Sequence, residues 1–273
     1  MAFAFSDRHI EDYHIRGYTV FRQILPPSLI ADLRLAADRA RELAREERGP
    51  QAQRLQPLRS YDIDQQPFID YAELPELVDA LRQVLTPRHF HGDRGFMGIL
   101  LEPAESSWCT AWHRDWRDNI PGLDLTRWES SFSDINLFNQ VNCALYEDCS
   151  TWFVPGSHLR RDLPGEVDRF PDRPIPRPDF DGMEEAAREH AGLDYCRSMP
   201  GAVQTQLEAG DYCLYRNTLW HLGNYVPYRK RATIHDGVFT PEFVTWMTEV
   251  REEAQRRRQQ GHGMENPNQA AAG

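Results

Sequence analysis

A series of short apolar-rich segments separated by turns runs from residue 96 to residue 239 and constrains the fold more than any other feature. Segments of this length, bounded by turn-forming residues, are typical of β-strands. No helical pattern alternates with them, so the sequence favours a β-sandwich or barrel over a parallel α/β sheet. The predicted strands are Phe96–Leu101, Cys109–Asp115, Gln140–Tyr146, Thr151–Val154, Val203–Leu207, Tyr212–Tyr215 and Arg231–Phe239.

The N-terminal third carries helical patterns instead. Apolar residues recur at intervals of three and four between Leu29 and Leu43, which predicts an amphipathic helix ended by Gly49. Shorter helices are predicted after Ser6 and from Pro75, and a strand at Tyr18–Phe21. The polar face of the long helix is expected to be solvated, and it carries Arg34, Asp38, Arg39, Arg41 and Arg45.

A His and an Asp stand two positions apart in the predicted strand that contains His113 and Asp115. Side chains at this spacing point to the same side of an extended segment, so two ligands for one metal are already in place. A third is offered by His221, in the strand-like segment Leu219–Asn224. Two histidines and one carboxylate leave part of a metal's coordination sphere open, which favours non-haem Fe(II) chemistry.

A second His-x-Asp pair, His91 and Asp93, shows that this signal is weak by itself. Gly92 and Gly95 place that pair in a turn, where neighbouring side chains share no fixed face. We therefore predict that His91 and Asp93 are loop residues.

Length and loop positions predict one domain, residues 1–250, and a polar, disordered tail, residues 251–273. Two insertions interrupt the strands, at 116–134 and in the proline-rich stretch 163–201. Long loops in a compact domain are usually functional lids or disordered segments. Because the first begins directly after Asp115, we predict that it is a lid over the metal.

The composition bounds the partners and the cellular location. A formal charge of -11 argues against nucleic acid or an anionic membrane as the main partner, so a small-molecule ligand is expected. The five cysteines are odd in number and lack a Cys-x-x-Cys pair, which indicates neither a disulfide framework nor a zinc knuckle. With no signal-peptide pattern and no long apolar run, the expected location is the cytoplasm.

Three motifs occur in one order along the chain: Gly17-Tyr18-Thr19-Val20 before the long helix, Val154-Pro155-Gly156-Ser157-His158 after a central strand, and Gly210-Asp211 before the distal histidine. In kind and in order they resemble the phytanoyl-CoA dioxygenase family over roughly residues 8–245. That family consists of Fe(II)/2-oxoglutarate-dependent oxygenases. The resemblance implies a mainly β fold, a double-stranded β-helix (jelly-roll, cupin-like) core with flanking N-terminal α-helices.

The resemblance also implies the site. It assigns the metal and catalytic roles to His113, Asp115 and His221, with Fe(II) as the metal. It assigns the 2-oxoglutarate-binding arginine to Arg231, with Arg229 as the alternative. Arginine suits this role because its planar fork matches a carboxylate with two parallel hydrogen bonds. The alternative for Arg231 is a structural ion pair with a nearby acid such as Asp211.

Four further residues carry weaker expectations. The resemblance places Asn142 on a strand position that faces the co-substrate and makes Thr110 a less specific neighbour. We expect His158 to be a turn residue bonded to backbone rather than a ligand. His235 either lines the pocket or is a hydrogen-bonded core histidine.

The implied function is hydroxylation of an unactivated C–H bond in a small organic substrate, with 2-oxoglutarate and O2 converted to succinate and CO2. Asp115 fills the position that a halogenase of this fold keeps vacant for chloride. Two other classes remain open: a non-catalytic metal- or ligand-binding sensor of the same fold, and a cupin-like metal-dependent isomerase or hydrolase.

Overall fold

The computed structural model describes residues 3–167 and 177–260. The strands are β1 (Tyr18–Phe21), β2 (Arg54–Leu55), β3 (Gly98–Leu101), β4 (Trp108–Cys109), β5 (Asn139–Ala144), β6 (Thr151–Phe153), β7 (Val203–Gln204), β8 (Tyr212–Arg216), β9 (His221–Tyr225) and β10 (Ala232–Val238). The α-helices are α1 (Asp7–Arg16), α2 (Pro27–Arg48), α3 (Gln66–Ala72), α4 (Pro75–Val84), α5 (Leu125–Glu129), α6 (Pro164–Val167), α7 (Glu185–Ser198) and α8 (Pro241–Gln259).

These strands form two antiparallel sheets. The larger has the order β1-β8-β5-β10-β3-β2, and the smaller has the order β4-β9-β6-β7. This arrangement confirms the mainly β, jelly-roll fold with N-terminal helices at its flank. Each predicted strand is present, although β4 ends at Cys109 and the chain then makes only one isolated bridge, at His113. The short strand β2 was not predicted.

The two faces of the larger sheet differ because side chains alternate along each strand. Ile99 on β3 pairs with Ile234 on β10, which pairs with Cys143 on β5, and all three are fully buried beneath the N-terminal helices. In the next row His235 pairs with Asn142, and both face a pocket on the opposite side of the sheet. Truncating a buried residue such as Ile234 to Ala costs about 2–5 kcal/mol.

Helix α2 packs through small residues, and one of its arginines is buried. Ala37, Ala40 and Ala44 are fully buried against the sheet, which allows the helix to approach it closely. The expectation of a solvated polar face is wrong for Arg41, which is 8% exposed. Its Nε donates to Glu102, because a buried guanidinium needs a charged, hydrogen-bonding partner.

The segment 116–134 is packed against α8. Trp128 and Phe132 stack on each other and join Trp246 and Val250 of α8 in one buried cluster. A Cβ at Gly122 would lie 2.7 Å from the Ala254 carbonyl oxygen, so the loop and the helix are in close contact. In this structure the segment predicted as a lid therefore packs against α8, and its role as a lid stays a prediction.

The predicted disordered tail is wrong for residues 251–259, which continue α8. Met247, Val250 and Ala254 recur at helical spacing and are buried, so the apolar face of the helix extends past residue 250. Residues 261–273 of that tail, and residues 168–176 of the proline-rich insertion, lie outside the described residues. The rest of that insertion contains α7, which covers the smaller sheet through Cys196.

No helix in the described ranges combines the length and the apolar character needed to cross a membrane.

The buried Asp236 should make stability pH-dependent. It accepts hydrogen bonds from the backbone N–H groups of Gly92 and Gly237, and burial raises its pKa from 3.8 to about 7. Between these values the native state holds a proton that the unfolded state has released, so the free energy of unfolding falls as pH rises. A tenfold difference in proton affinity between the two states corresponds to about 1.4 kcal/mol.

We expect Asp236→Asn to remove this decline. Urea unfolding of both proteins at about pH 5 and about pH 8 measures it, because wild type should lose stability relative to the variant at the higher pH. The histidines with lowered pKa values are common to both proteins and cancel in the difference. If the difference in free energy of unfolding between wild type and variant does not change with pH, Asp236 is not the group responsible.

Candidate metal centre

The two histidines of the predicted triad lie opposite each other across an antiparallel bridge. The His113 N–H donates to the His221 carbonyl, and the His221 N–H donates to the His113 carbonyl, both at 3.0 Å. Residues paired in this way direct their side chains to the same face. Their imidazole centroids are 4.2 Å apart. The bridge therefore brings together two candidate ligands that are distant in sequence.

Asp115 completes the cluster. Its carboxylate oxygens lie 3.5 Å from Nε2 of His113 and 3.7 Å from Nε2 of His221. The three donor atoms all fall within 4.8 Å of one another. Two imidazoles and one carboxylate with such separations fit a divalent metal with bonds of about 2.1 Å.

Backbone carbonyls fix the tautomer of both histidines. Nδ1 of His113 donates to the Ala111 carbonyl at 2.7 Å, and Nδ1 of His221 donates to the Leu219 carbonyl at 2.9 Å. A carbonyl can only accept, so each proton resides on Nδ1 and each Nε2 keeps its lone pair. Hydrogen bonds of this kind hold an imidazole in the orientation that a metal requires.

Asn119 orients the carboxylate, and sequence reasoning did not identify it. Its Nδ2 donates to Asp115 at 3.1 Å, and its Oδ1 accepts from the Trp116 N–H at 2.8 Å. Trp116 has a φ of 65°, a left-handed conformation that is strained for a residue with a side chain. The turn that begins immediately after Asp115 thus depends on the Asn119 side chain.

The charges of the cluster suit a metal. Burial disfavours ionisation of Asp115, but its interactions with His221 and His113 outweigh this effect and lower its pKa to about 2. Burial and the neighbouring His221 lower the pKa of His113. At neutral pH the carboxylate is therefore ionised, and the His113 imidazole is neutral, the form that binds metals.

The triad lines a pocket of about 400 Å³ between the two sheets. The same pocket is lined by all three residues predicted to bind the co-substrate, Arg231, Asn142 and Thr110. Pockets of this volume are typical of small-molecule sites.

Arg231 forms an ion pair and also faces this pocket. Its Nε donates to Asp148 at 2.8 Å, and its guanidinium lies 5.0 Å from the Tyr225 ring centroid. The expected ion pair with a nearby acid is present, but the acid is Asp148, because Asp211 pairs with Arg22 instead. Within the described part of the chain, the two terminal nitrogens of Arg231 make no hydrogen bond. They are thus available to a pocket ligand.

Arg231 is held from the helix side as well. Its N–H donates to Glu102 at 2.7 Å, and its carbonyl accepts from Arg41 at 2.9 Å. Arg229, in contrast, is exposed and contacts Cys149 and Glu147 outside the pocket. The geometry favours Arg231 over Arg229.

A chain of hydrogen bonds connects His235 to the pocket. Gln140 donates to Nε2 of His235, Nδ1 of His235 donates to Asn142, and Asn142 donates to the hydroxyl of Thr151. Burial lowers the pKa of His235 to about 3, so it stays neutral and is both pocket-lining and hydrogen-bonded. The Thr151 hydroxyl retains its own hydrogen for a pocket ligand, a role the sequence did not suggest.

The other candidates lie away from the metal centre or serve as its neighbours. His91 and Asp93 belong to a loop in which Asp93 accepts from the Gly95 N–H. Nε2 of His158 donates to the His14 carbonyl, which confirms a turn residue bonded to backbone. Thr110 accepts from the Gly223 N–H through its hydroxyl. Trp128 and Arg117 of the predicted lid are buried away from the pocket, which Trp116 and Asn119 line instead.

A model of the phytanoyl-CoA dioxygenase (PhyH) family matches residues 13–224, which include the whole triad. The chain belongs to this family. The match confirms the predicted resemblance. No curated protein matches the sequence significantly.

Solved structures of PhyH-like fold include AviO1 from Streptomyces viridochromogenes Tue57, with 17% identity and a TM-score of 0.57 over 88% of this chain and 97% of that chain. HygX from Streptomyces hygroscopicus, solved with nickel and 2-oxoglutarate, has 16% identity and a TM-score of 0.58, over 87% of this chain and 88% of that chain. The non-heme alpha ketoglutarate dependent epimerase SnoN from nogalamycin biosynthesis has 17% identity and a TM-score of 0.53, over 85% of this chain and 80% of that chain. At these identities the likeness shows the fold.

Metal binding should depend on the triad and not on the second His-x-Asp pair. We expect His113→Ala, Asp115→Ala and His221→Ala each to weaken Ni(II) binding by more than about 100-fold, because each removes a direct ligand. Isothermal titration of Ni(II) measures this. His91→Ala is the matched control and should bind like wild type, and equal losses at His91 and His113 would refute the assignment.

Proposed function

We propose that this PhyH-family protein is an Fe(II)/2-oxoglutarate-dependent dioxygenase. It hydroxylates an unactivated C–H bond of a small organic substrate while 2-oxoglutarate and O2 become succinate and CO2. The metal ligands are His113, Asp115 and His221. The co-substrate is held by Arg231, with Asn142 and Thr110 as neighbours.

One observation carries this proposal: the triad and Arg231 line the same pocket. Two imidazoles and one carboxylate occupy one side of a metal and leave positions for other ligands, the donor set of non-haem Fe(II) oxygenases. An arginine at a distance from that centre matches a dicarboxylate bound at one end by the metal. The solved HygX structure, in which nickel and 2-oxoglutarate are present, supports the same pairing on this fold.

The residues around the metal have distinct tasks. Arg231 binds the far carboxylate of 2-oxoglutarate through two parallel hydrogen bonds, and Asp148 keeps the guanidinium oriented. The Thr151 hydroxyl is a further donor toward the pocket, and Asn142 fixes its direction. When bound, Fe(II) supplies the oxidation of a C–H bond by O2, and the protein supplies orientation.

The two other classes receive less support. A sensor without turnover has no need to keep all three metal ligands together with a correctly placed arginine. An isomerase or hydrolase with another metal has no need for a dicarboxylate site, although SnoN shows the fold in an epimerase. The product distinguishes the reactions: hydroxylation adds one oxygen atom to the substrate mass, whereas epimerisation leaves the mass unchanged.

The cofactors can be tested directly. Anaerobic addition of Fe(II) and 2-oxoglutarate should produce the weak visible absorption band of a keto acid bound to iron, because coordination positions lie open beside the triad. Exposure to O2 should then convert 2-oxoglutarate to succinate. A compound from a substrate library that is the true substrate should accelerate this conversion. A folded protein with neither the band nor succinate formation would overturn the proposed function.

Arg231→Lys tests the 2-oxoglutarate site. Lysine keeps the charge but loses the planar fork, so we expect the 2-oxoglutarate concentration for half-maximal band intensity to rise by about tenfold or more. Fe(II) binding should stay close to wild type. Arg229→Lys is the matched control, and an effect there without one at Arg231 would move the co-substrate to the other arginine.

A further inference from the structure

Arginines line the pocket although the protein as a whole is acidic. Among the described residues it is lined by three arginines, Arg54, Arg231 and Arg251, and by two acids, Asp115 and Asp236. Asp148 neutralises Arg231. The two positive charges of a divalent metal cancel the two negative charges of 2-oxoglutarate. Asp236 is bonded to backbone N–H groups. Arg54 and Arg251 remain, and in the described ranges neither pairs with an acid, although both are exposed to solvent.

Arg251 is placed to use that charge. It lies on α8 one turn after Met247, so both side chains share the face that lines the pocket. Its guanidinium carbon lies 5.4 Å from the centroid of the Trp116 ring, a cation–π contact that limits its freedom. In the described ranges it donates to no carboxylate or carbonyl. The fork is thus positioned by an aromatic ring while its hydrogen-bond donors remain available.

The remaining pocket wall near Arg251 is apolar. Phe96 and Phe239 are in edge-to-face contact at 5.2 Å and line the pocket, together with Trp116 and Met247. Phe96 is 39% exposed, so part of its ring is accessible to a ligand in the pocket. An apolar surface beside a guanidinium with available donors is complementary to a ligand with both characters.

We propose that the substrate is a small organic acid with an apolar body, and that Arg251 binds its anionic group, a carboxylate or phosphate monoester. This inference rests on the proposed function, because it assigns the part of the pocket that metal and 2-oxoglutarate leave free. The apolar body lies against Phe96, Phe239 and Met247. Arg251 is therefore the residue that determines specificity.

Arg54 is the competing candidate and serves as the matched control. It projects from β2 in the row of Leu100 and Thr233, on the pocket side of the larger sheet. Its charge acts on Tyr225 and His235, which places it toward the Arg231 end of the pocket. It lacks the contact with Trp116 that aligns Arg251 beside the apolar wall.

The test uses equilibrium binding to the full chain loaded with Ni(II) and 2-oxoglutarate, which occupy the Arg231 end without turnover. The probes are 4-phenylbutyrate, phenyl phosphate and the neutral 4-phenylbutanol, titrated calorimetrically. We expect wild type to bind at least one anion about tenfold more tightly than the alcohol. Arg251→Gln should abolish this preference with the affinity for the alcohol unchanged, Arg251→Lys should retain part of it, and Arg54→Gln should retain all of it.

Three results overturn the inference: equal affinity of wild type for anions and alcohol, a preference that survives in Arg251→Gln, or loss of it in Arg54→Gln alone. The tighter of the two anions identifies the group as carboxylate or phosphate. Failure of the proposed function gives a different result, because Ni(II) and 2-oxoglutarate then fail to raise the melting temperature. If so, the same titrations without Ni(II) and 2-oxoglutarate still test Arg251, and Arg231→Lys serves as a further control.

Discussion

The site depends on one pair of backbone hydrogen bonds, those that join His113 and His221 across the smaller sheet. In an antiparallel pair, residues directly opposite each other must direct their side chains to the same face, so the bridge sets the separation of the imidazoles. The Nδ1 bonds to neighbouring carbonyls then leave each Nε2 free for a metal. Asp115 follows His113 by two residues, which brings it to the same side, and Asn119 then orients its carboxylate.

The other end of the pocket is set from outside the sheets. Buried Arg41 on α2 bonds to Glu102 and to the Arg231 carbonyl, while Glu102 accepts the Arg231 N–H. With Asp148 on the Arg231 side chain, these contacts position one arginine from its backbone and from its guanidinium. A buried charge without such partners would be costly. The helices that cover the core therefore also contribute to the proposed co-substrate site.

The net charge of -11 describes the average surface and not the pocket. Most charged side chains lie on the exterior away from the site, whereas Arg54 and Arg251, although exposed, line the pocket itself. This difference allows an acidic protein to accept an anionic ligand. It also explains why composition, which disfavours a polyanionic partner, says little about the charge of a small substrate.

Local spacing predicted the strands, the amphipathic face of α2, and a pair of candidate metal ligands in His113 and Asp115. The segment around His221 offered a third ligand, and the family motifs added Arg231, because their order along the chain carries the register of the fold. Only the tertiary structure decided contacts between distant segments. These include the pairing of Arg231 with Asp148, the burial of Arg41, the helical continuation of residues 251–259, and the approach of Arg251 to Trp116. Side-chain spacing along a strand or helix sets which residues share a face. Which side chains meet that face depends instead on how separate elements pack.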